Sequence, residues 1–220
     1  MSIKDSSFFE QPLTFVNKVE EGKHIVLFYE ELEYAKVISF QFIKSGLLHQ
    51  KDCSYLSEEE ITSVKREMSD SRIDVKKFIQ NNQLHIYQVT SLTDYHPRET
   101  ELVGEGEGER QGKQNTADDT TILNNPSKIR KSDRIVLRCI YNVNTEEQIK
   151  SNLRWEYDFR CKDLKHTGTT LVSSYPINDI IPTISDLTRP YGKWMSTLLE
   201  IYDGVIFARR FWKGVAFNLN

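Results

Sequence analysis

Apolar residues recur along the chain in short runs separated by charged turns, and the period of the runs changes from one to the next. His24-Ile-Val-Leu-Phe-Tyr29 is almost continuously apolar, the pattern of a strand buried on both faces. After Glu30 and Glu31, Ala35, Ile38 and Phe42 recur at helical spacing, with Val37 and Ile43 widening the stripe. This predicts a helix over Leu32 to Leu48 whose regular part ends at Gly46. A second strand, Asp52 to Leu56, runs into Ser57-Glu-Glu-Glu60, which has the form of a capping box. Ser57 is expected to cap the free amides and Glu60 to reach back, ahead of a helix with Ile61, Val64 and Met68 on one face. Asp74 is placed to cap a short helix carrying Val75, Phe78 and Ile79, and Asn81-Asn82 breaks the pattern before the strand Leu84 to Val89. The predicted order to this point is β-α-β-α-α-β.

The alternation then pauses. Residues 91 to 132 contain Gly104-Glu-Gly-Glu-Gly-Glu109 and a polar tract of Gln, Asn, Thr and Asp, and they read as a flexible insertion, acidic at first and basic near Lys128, Arg130 and Lys131. It resumes with the strand Arg134 to Tyr141, and Thr145-Glu-Glu-Gln148 forms a second capping box before Ile149, Leu153 and Tyr157. A strand follows over Thr170 to Ile177, then a helix from Trp194 to Ile201 and a strand from Gly204 to Ala208. The tail from Arg209 interleaves charge and aromatics. Its alternation favours a final edge strand with Phe211 and Val215 facing inward over a nucleobase-stacking surface. Residues 1 to 22 show no clear period and read as an N-terminal extension, leaving 23 to 220 as one domain. Repeated β/α alternation with continuous apolar strands predicts an α/β fold of three layers, with a mostly parallel central sheet and helices on both faces.

Composition narrows the class. Eleven Phe, ten Tyr and three Trp in 220 residues supply the core bulk that a disordered chain lacks. Apolar runs of about five residues fall far short of the roughly 18 that span a bilayer, and the first residues lack a secretory pattern, so a cytoplasmic protein without membrane contact is expected. A net charge of −3 and a pI near 6.0 argue against a nucleic-acid binder driven by electrostatics. Cys53, Cys139 and Cys161 lie far apart, with no C-x-x-C and no His at a ligand spacing. Reduced, packed thiols are expected rather than a metal site.

A resemblance sharpens this picture. His24 to Lys36 (HIVLFYEELEYAK), Phe42-Ile-Lys-Ser-Gly-Leu47, Tyr55-Leu-Ser-Glu-Glu-Glu60 and Leu84-His-Ile-Tyr87 resemble the MEDS domain, the sensory module of DcmR-like proteins of archaea and bacteria. The agreement spans about residues 20 to 90; Ile135 to Leu153, Ser173 to Ile180 and Ala208 fit more loosely, and the insertion departs from the pattern. The resemblance implies a RecA- or KaiC-like core that has lost its phosphate-binding loop. It further implies a non-catalytic sensory or ligand-binding role in signal transduction or transcription regulation, directed at a small organic molecule. The alternatives are a divergent nucleotide-binding protein of the RecA or KaiC type and a stand-alone protein-protein adaptor. The residues themselves speak against the phosphate loop. The turn Tyr29-Glu30-Glu31-Leu32 offers carboxylates where G-x-x-x-x-G-K-[ST] would offer amides and a lysine, and Gly22-Lys23, Gly112-Lys113 and Gly192-Lys193 all lack a following Ser or Thr.

In an open α/β sheet ligands bind at the carboxyl ends of the strands. The residues placed there by the pattern are Tyr29, Glu30 and Glu31, Ser57, Tyr141 and Asn142, and Tyr175 with Asp179. Tyr29, Tyr141 and Tyr175 end three strands, and two readings stand side by side: an aromatic crevice shared with Glu30, or rings that cap the sheet as core. With Glu30 and Glu31 facing such a crevice, neutral or cationic organic ligands are favoured over phosphates. No catalytic residue, metal site or cofactor is expected, since no His pair, G-x-S-x-G or nucleophile-base spacing occurs. A signalling or regulatory protein is the expected partner.

Overall fold

The computed structural model describes residues 10–89, 120–123, 132–138, 168–176 and 201–219. A short helix α1 (Pro12–Lys18) precedes β1 (His24–Tyr29), α2 (Leu32–Leu48), β2 (Cys53–Ser57), α3 (Ile61–Asp70), α4 (Val75–Gln80) and β3 (Leu84–Val89). The later strands are β4 (Thr120–Leu123), β5 (Arg134–Arg138), β6 (Thr170–Pro176), β7 (Gly204–Arg209) and β8 (Lys213–Asn218). Together they form one sheet in the order β4-β3-β2-β5-β6-β1-β7-β8. Every pairing is parallel except β7 with β8.

Parity along the strands separates the two faces of the sheet, because successive side chains alternate. On one face, Ile25 and Leu27 of β1, Tyr55 of β2, Val136 of β5, Val172 of β6 and Ile206 of β7 join Phe15 and Val16 of α1 in a single cluster. Ala35, Ile38, Phe42 and Ile43 of α2, Val64 and Met68 of α3 and Val75 of α4 complete it. On the other face, Val26, Leu56, Leu137, Leu171 and Val205 are also buried. The sheet is therefore the middle of a three-layer α/β fold, and its central strands are buried along most of their length because neither face meets water.

Several local expectations change on contact with the tertiary structure. Helix α2 does not end at Gly46 but runs through it to Leu48. Glycine is required there by close packing, since a Cβ would lie 2.7 Å from the Cys53 sulfur and 2.6 Å from the Arg134 side chain. The Ser57–Glu60 capping box does not form: Glu60 occupies the N-cap of α3 without a side-chain bond. Ser57 Oγ instead accepts from the Glu59 amide at 2.9 Å, because Ser57 still belongs to β2. Asp74 does cap α4, accepting from the Lys77 amide at 3.2 Å.

Within the stretch read as an insertion, Thr120–Leu123 pairs with β3 as β4, and Ser132 is buried with its hydroxyl against that of Ser54 at 2.6 Å; the rest of that stretch lies outside the described residues. So do the Thr145 capping box and the helix from Trp194, apart from Ile201. The tail turns through a 3-10 segment, Arg210–Trp212, and returns as the antiparallel edge strand β8. There Ala216 is buried, whereas Val215, expected to face inward, is 40% exposed. The extension is partly helical, with Phe15 and Val16 of α1 buried against the core.

Candidate functional site

β1 ends at Tyr29, and Glu30 and Glu31 alone join it to α2. The Glu30 amide donates to the Ala208 carbonyl at 2.9 Å, extending the β1–β7 pairing by one step. This brings the Glu30 carboxylate beside the end of β7, where it accepts from Arg209 Nε at 3.0 Å and from the Arg210 amide at 3.2 Å. These bonds hold its carboxyl below the usual carboxylate range. Glu30 is thus tied to the β7–β8 turn rather than open to a ligand. Glu31 is the N-cap of α2, half-buried and without a capping bond.

Tyr29 and Tyr175 share the carboxyl rim, on adjacent strands and both buried. They do not share a crevice. Tyr175 registers with Phe28, whose ring lies 6.4 Å away, and Tyr29 registers with Pro176, so the two tyrosines point to opposite faces of the sheet. Tyr141, Asn142 and Asp179 lie outside the described residues.

On the α2 face of the same rim stands a polar cluster that the sequence reading passed over. Arg138, the last residue of β5, is 1% exposed. Its Nη1 donates to Glu59 Oε2 at 3.0 Å and reaches the Tyr55 hydroxyl at 3.5 Å, while Nη2 ion-pairs with Glu59 Oε1 at 2.8 Å. Lys36, buried on α2, ion-pairs with Glu59 at 3.0 Å and Glu67 at 2.7 Å. Burial works to raise the Glu59 pKa, but the hydrogen bonds from Arg138 and Lys36 outweigh it and hold that carboxyl below its usual range. Burial likewise opposes the charge on Lys36, and its two glutamates reverse the effect, so the ammonium is held above its ordinary value. Burial pushes the Tyr55 phenol upward, leaving it a neutral hydroxyl at Arg138.

A signal for this cluster was present in the sequence. Glu30-Glu-Leu-Glu-Tyr-Ala-Lys36-Val37 has the spacing of G-x-x-x-x-G-K-[ST], with lysine retained and Glu30, Ala35 and Val37 in the other defining places. The structure shows what the replacements do. α2 starts at Leu32, so no glycine-rich loop of amides surrounds an anion, and the lysine is turned onto two glutamates of the chain itself.

Neither the family models nor the curated proteins give a match to this chain. Among solved structures it is similar to a KaiC-like protein of the hyperthermophilic archaeon Pyrococcus horikoshii OT3. The TM-score is 0.50 at 14% identity, covering 86% of this chain and 73% of that one. The fold is the KaiC-like RecA fold. Lys36 lies in the first turns of α2, beyond the β1 rim, and no cradle of amides forms at that turn.

The other candidate chemistry is accounted for by local packing. His24 Nε2 lies 3.2 Å from Ser173 Oγ and its ring packs on Tyr202, while His85 Nε2 lies 3.2 Å from the Asn82 carbonyl. Among the described residues no group of His, Cys, Asp and Glu could hold a metal ion, and no helix is long and apolar enough to cross a membrane. Burial pushes the Cys53 thiol up to about 12, so it is held as the unreactive thiol. In a Cys139→Ser/Cys161→Ser background, Cys53 is expected to react with a water-soluble disulfide reagent only on unfolding. Complete labelling of the native protein within minutes would refute this.

Proposed function

We propose that this RecA-fold chain is a non-catalytic sensory module of the MEDS type. It binds a small organic molecule at the carboxyl rim of its sheet and passes the signal to a separate signalling or regulatory protein. One observation carries the reading: Lys36, the lysine in the first turns of α2, is neutralised inside the protein by Glu59 and Glu67 at 3.0 and 2.7 Å. A nucleotide triphosphate needs amides and free positive charge at that turn. Here it would meet Glu30 already paired with Arg209 and Arg210, Glu31, and a lysine already paired, so no free positive charge awaits it and the carboxylates oppose its approach.

A second reading, a divergent nucleotide-binding protein, is favoured by the lysine kept at position 36 on a KaiC-like fold. Calorimetric titration separates the two. Magnesium with ATP or ADP is expected to give no saturable heat, and a thermal-shift panel of small uncharged organic compounds is expected to contain a saturable stabiliser. Saturable, magnesium-dependent ATP heat that disappears in Lys36→Met would overturn the sensory reading in favour of the second.

A further inference from the structure

The Arg138 guanidinium carries five N–H donors, and those on Nη1 and Nη2 face Glu59 and Tyr55. Among the described residues its Nε–H has no acceptor, although the side chain is fully buried. On the neighbouring strand, Ser174 is fully buried too, and its hydroxyl has no partner among the described residues. Arg138 and Ser174 are register partners in the β5–β6 pairing, so their side chains leave the same face of the sheet about 5 Å apart. They stand on the face that carries Tyr29 and α2, because Ser174 also registers with Leu27, and Leu27 and Tyr29 belong to the α2-side core cluster. A buried polar group without a partner is uncommon in folded proteins. Two of them side by side, at the rim where this fold class binds ligands, call for one shared partner.

The chemistry of the pair defines that partner. Nε–H can only donate and the serine hydroxyl can donate, so the complement is an oxygen with two free lone pairs. Charge decides which kind of oxygen. Lys36 and Arg138 are balanced by Glu59 and Glu67, with Glu33 a further carboxylate at 4.0 Å from Lys36, so the cluster has no free positive charge. A carboxylate or phosphate would bring an uncompensated charge into a buried place.

We propose that Arg138 Nε and Ser174 Oγ form a two-donor receptor for the carbonyl oxygen of a small uncharged organic molecule, a ketone or an amide. This deepens the sensory reading and rests on it: it names the ligand's chemical class and the two groups that hold its oxygen. Arg138 couples the event to the rest of the molecule, since the same guanidinium holds Glu59, and Glu59 and Glu67 together hold Lys36 of α2.

The test follows the Arg138 Nε–H resonance of the full chain by nitrogen-15 NMR, assigned by its loss in Arg138→Lys. The probes are cyclopentanone, N-methylacetamide, the hydrocarbon methylcyclopentane, sodium acetate and inorganic phosphate. Cyclopentanone or N-methylacetamide is expected to move the resonance saturably, while the hydrocarbon and the two anions do not. Ser174→Ala is expected to weaken that binding at least tenfold without lowering the melting temperature, because the hydroxyl it removes has no bond to lose. A resonance unmoved by every probe overturns the inference. So does acetate or phosphate binding more tightly than the carbonyl compounds. If calorimetry shows an uncharged probe binding while the Arg138 resonance stays still, the receptor is refuted and the sensory reading stands. Magnesium-dependent ATP binding would instead remove the sensory reading itself.

Discussion

Glu59→Gln is expected to destabilise the protein by about 3 kcal/mol, the low end of the ~3–5 kcal/mol that breaking a buried ion pair costs. The low end applies because Glu59 itself remains 22% exposed. The cost falls on its partners. The Arg138 side chain is 0% exposed and would lose the carboxylate it ion-pairs with, while Lys36 would keep Glu67 and the more distant Glu33. Removing the arginine as well, in Glu59→Gln/Arg138→Met, is expected to recover part of the loss, since the stranded charge disappears with it. Urea denaturation of the two single variants and the double variant measures this coupling. A single-variant cost under about 1 kcal/mol, the scale of an exposed pair, would show that Glu59 is not the counter-ion that Arg138 depends on.

The same pair predicts a pH dependence. The Glu59 pKa is depressed in the folded state by its bonds to Arg138 and Lys36, against the opposing pull of burial. Its contribution is therefore complete above the unfolded-state pKa of about 4.3 and is lost as pH falls through the folded value. Glu58 shifts the other way because burial raises it, so the difference between wild type and Glu59→Gln, rather than either curve alone, isolates Glu59. That difference is expected to narrow steadily below about pH 4.

Phe42→Ala is expected to cost about 4 kcal/mol, within the ~3–5 kcal/mol typical of a deleted core phenylalanine. For a chain of this size that is a fall of roughly 10 °C in melting temperature. Phe42 is 0% exposed and sits in the centre of the cluster that holds α2 to the sheet. Its ring also carries the Arg134 guanidinium, 4.6 Å from the ring centre, while Arg134 Nη1 donates to the Phe42 carbonyl at 2.9 Å. Alanine would keep the carbonyl bond but leave a void and remove the ring beneath a half-buried cation. Phe42→Leu fills most of the volume and is expected to lose less than half as much. Equal losses for the two, in urea titrations with unchanged slope, would place the energy in the cation–ring contact rather than in packing.

How much of this was legible in advance differs between the fold and the site. The first three strands and the helices between them follow from apolar periodicity, which acts over a few residues and is therefore written locally: the run His24–Tyr29 is buried along its whole length, its one basic ring, His24, meeting Ser173. Parallel order followed as well, since continuous apolar strands joined by helices can bury both faces only in that arrangement. The cap at Asp74 was readable for the same local reason. The cap at Ser57 was not, because β2 extends one step further and takes the serine with it.

The site depended on register. Tyr29 and Tyr175 end adjacent strands, yet a one-residue difference in pairing sends their side chains to opposite faces, and that difference is set by hydrogen bonds between segments far apart in sequence. Glu30 looked like a free carboxylate until the β1–β7 pairing delivered Arg209 and Arg210 to it.

By itself the sequence determined the three-layer class, the order of the early elements and the absence of a glycine-rich phosphate loop, all properties of short contiguous stretches. Only the tertiary structure decided that Arg138 and Ser174 stand side by side with donors that find no partner among the described residues, and that Lys36 is neutralised by glutamates from the β2–α3 connection and α3. A charge on an apolar strand reads the same whether it ends in water or in the core. Its meaning comes from partners that chain closure brings to it from other elements.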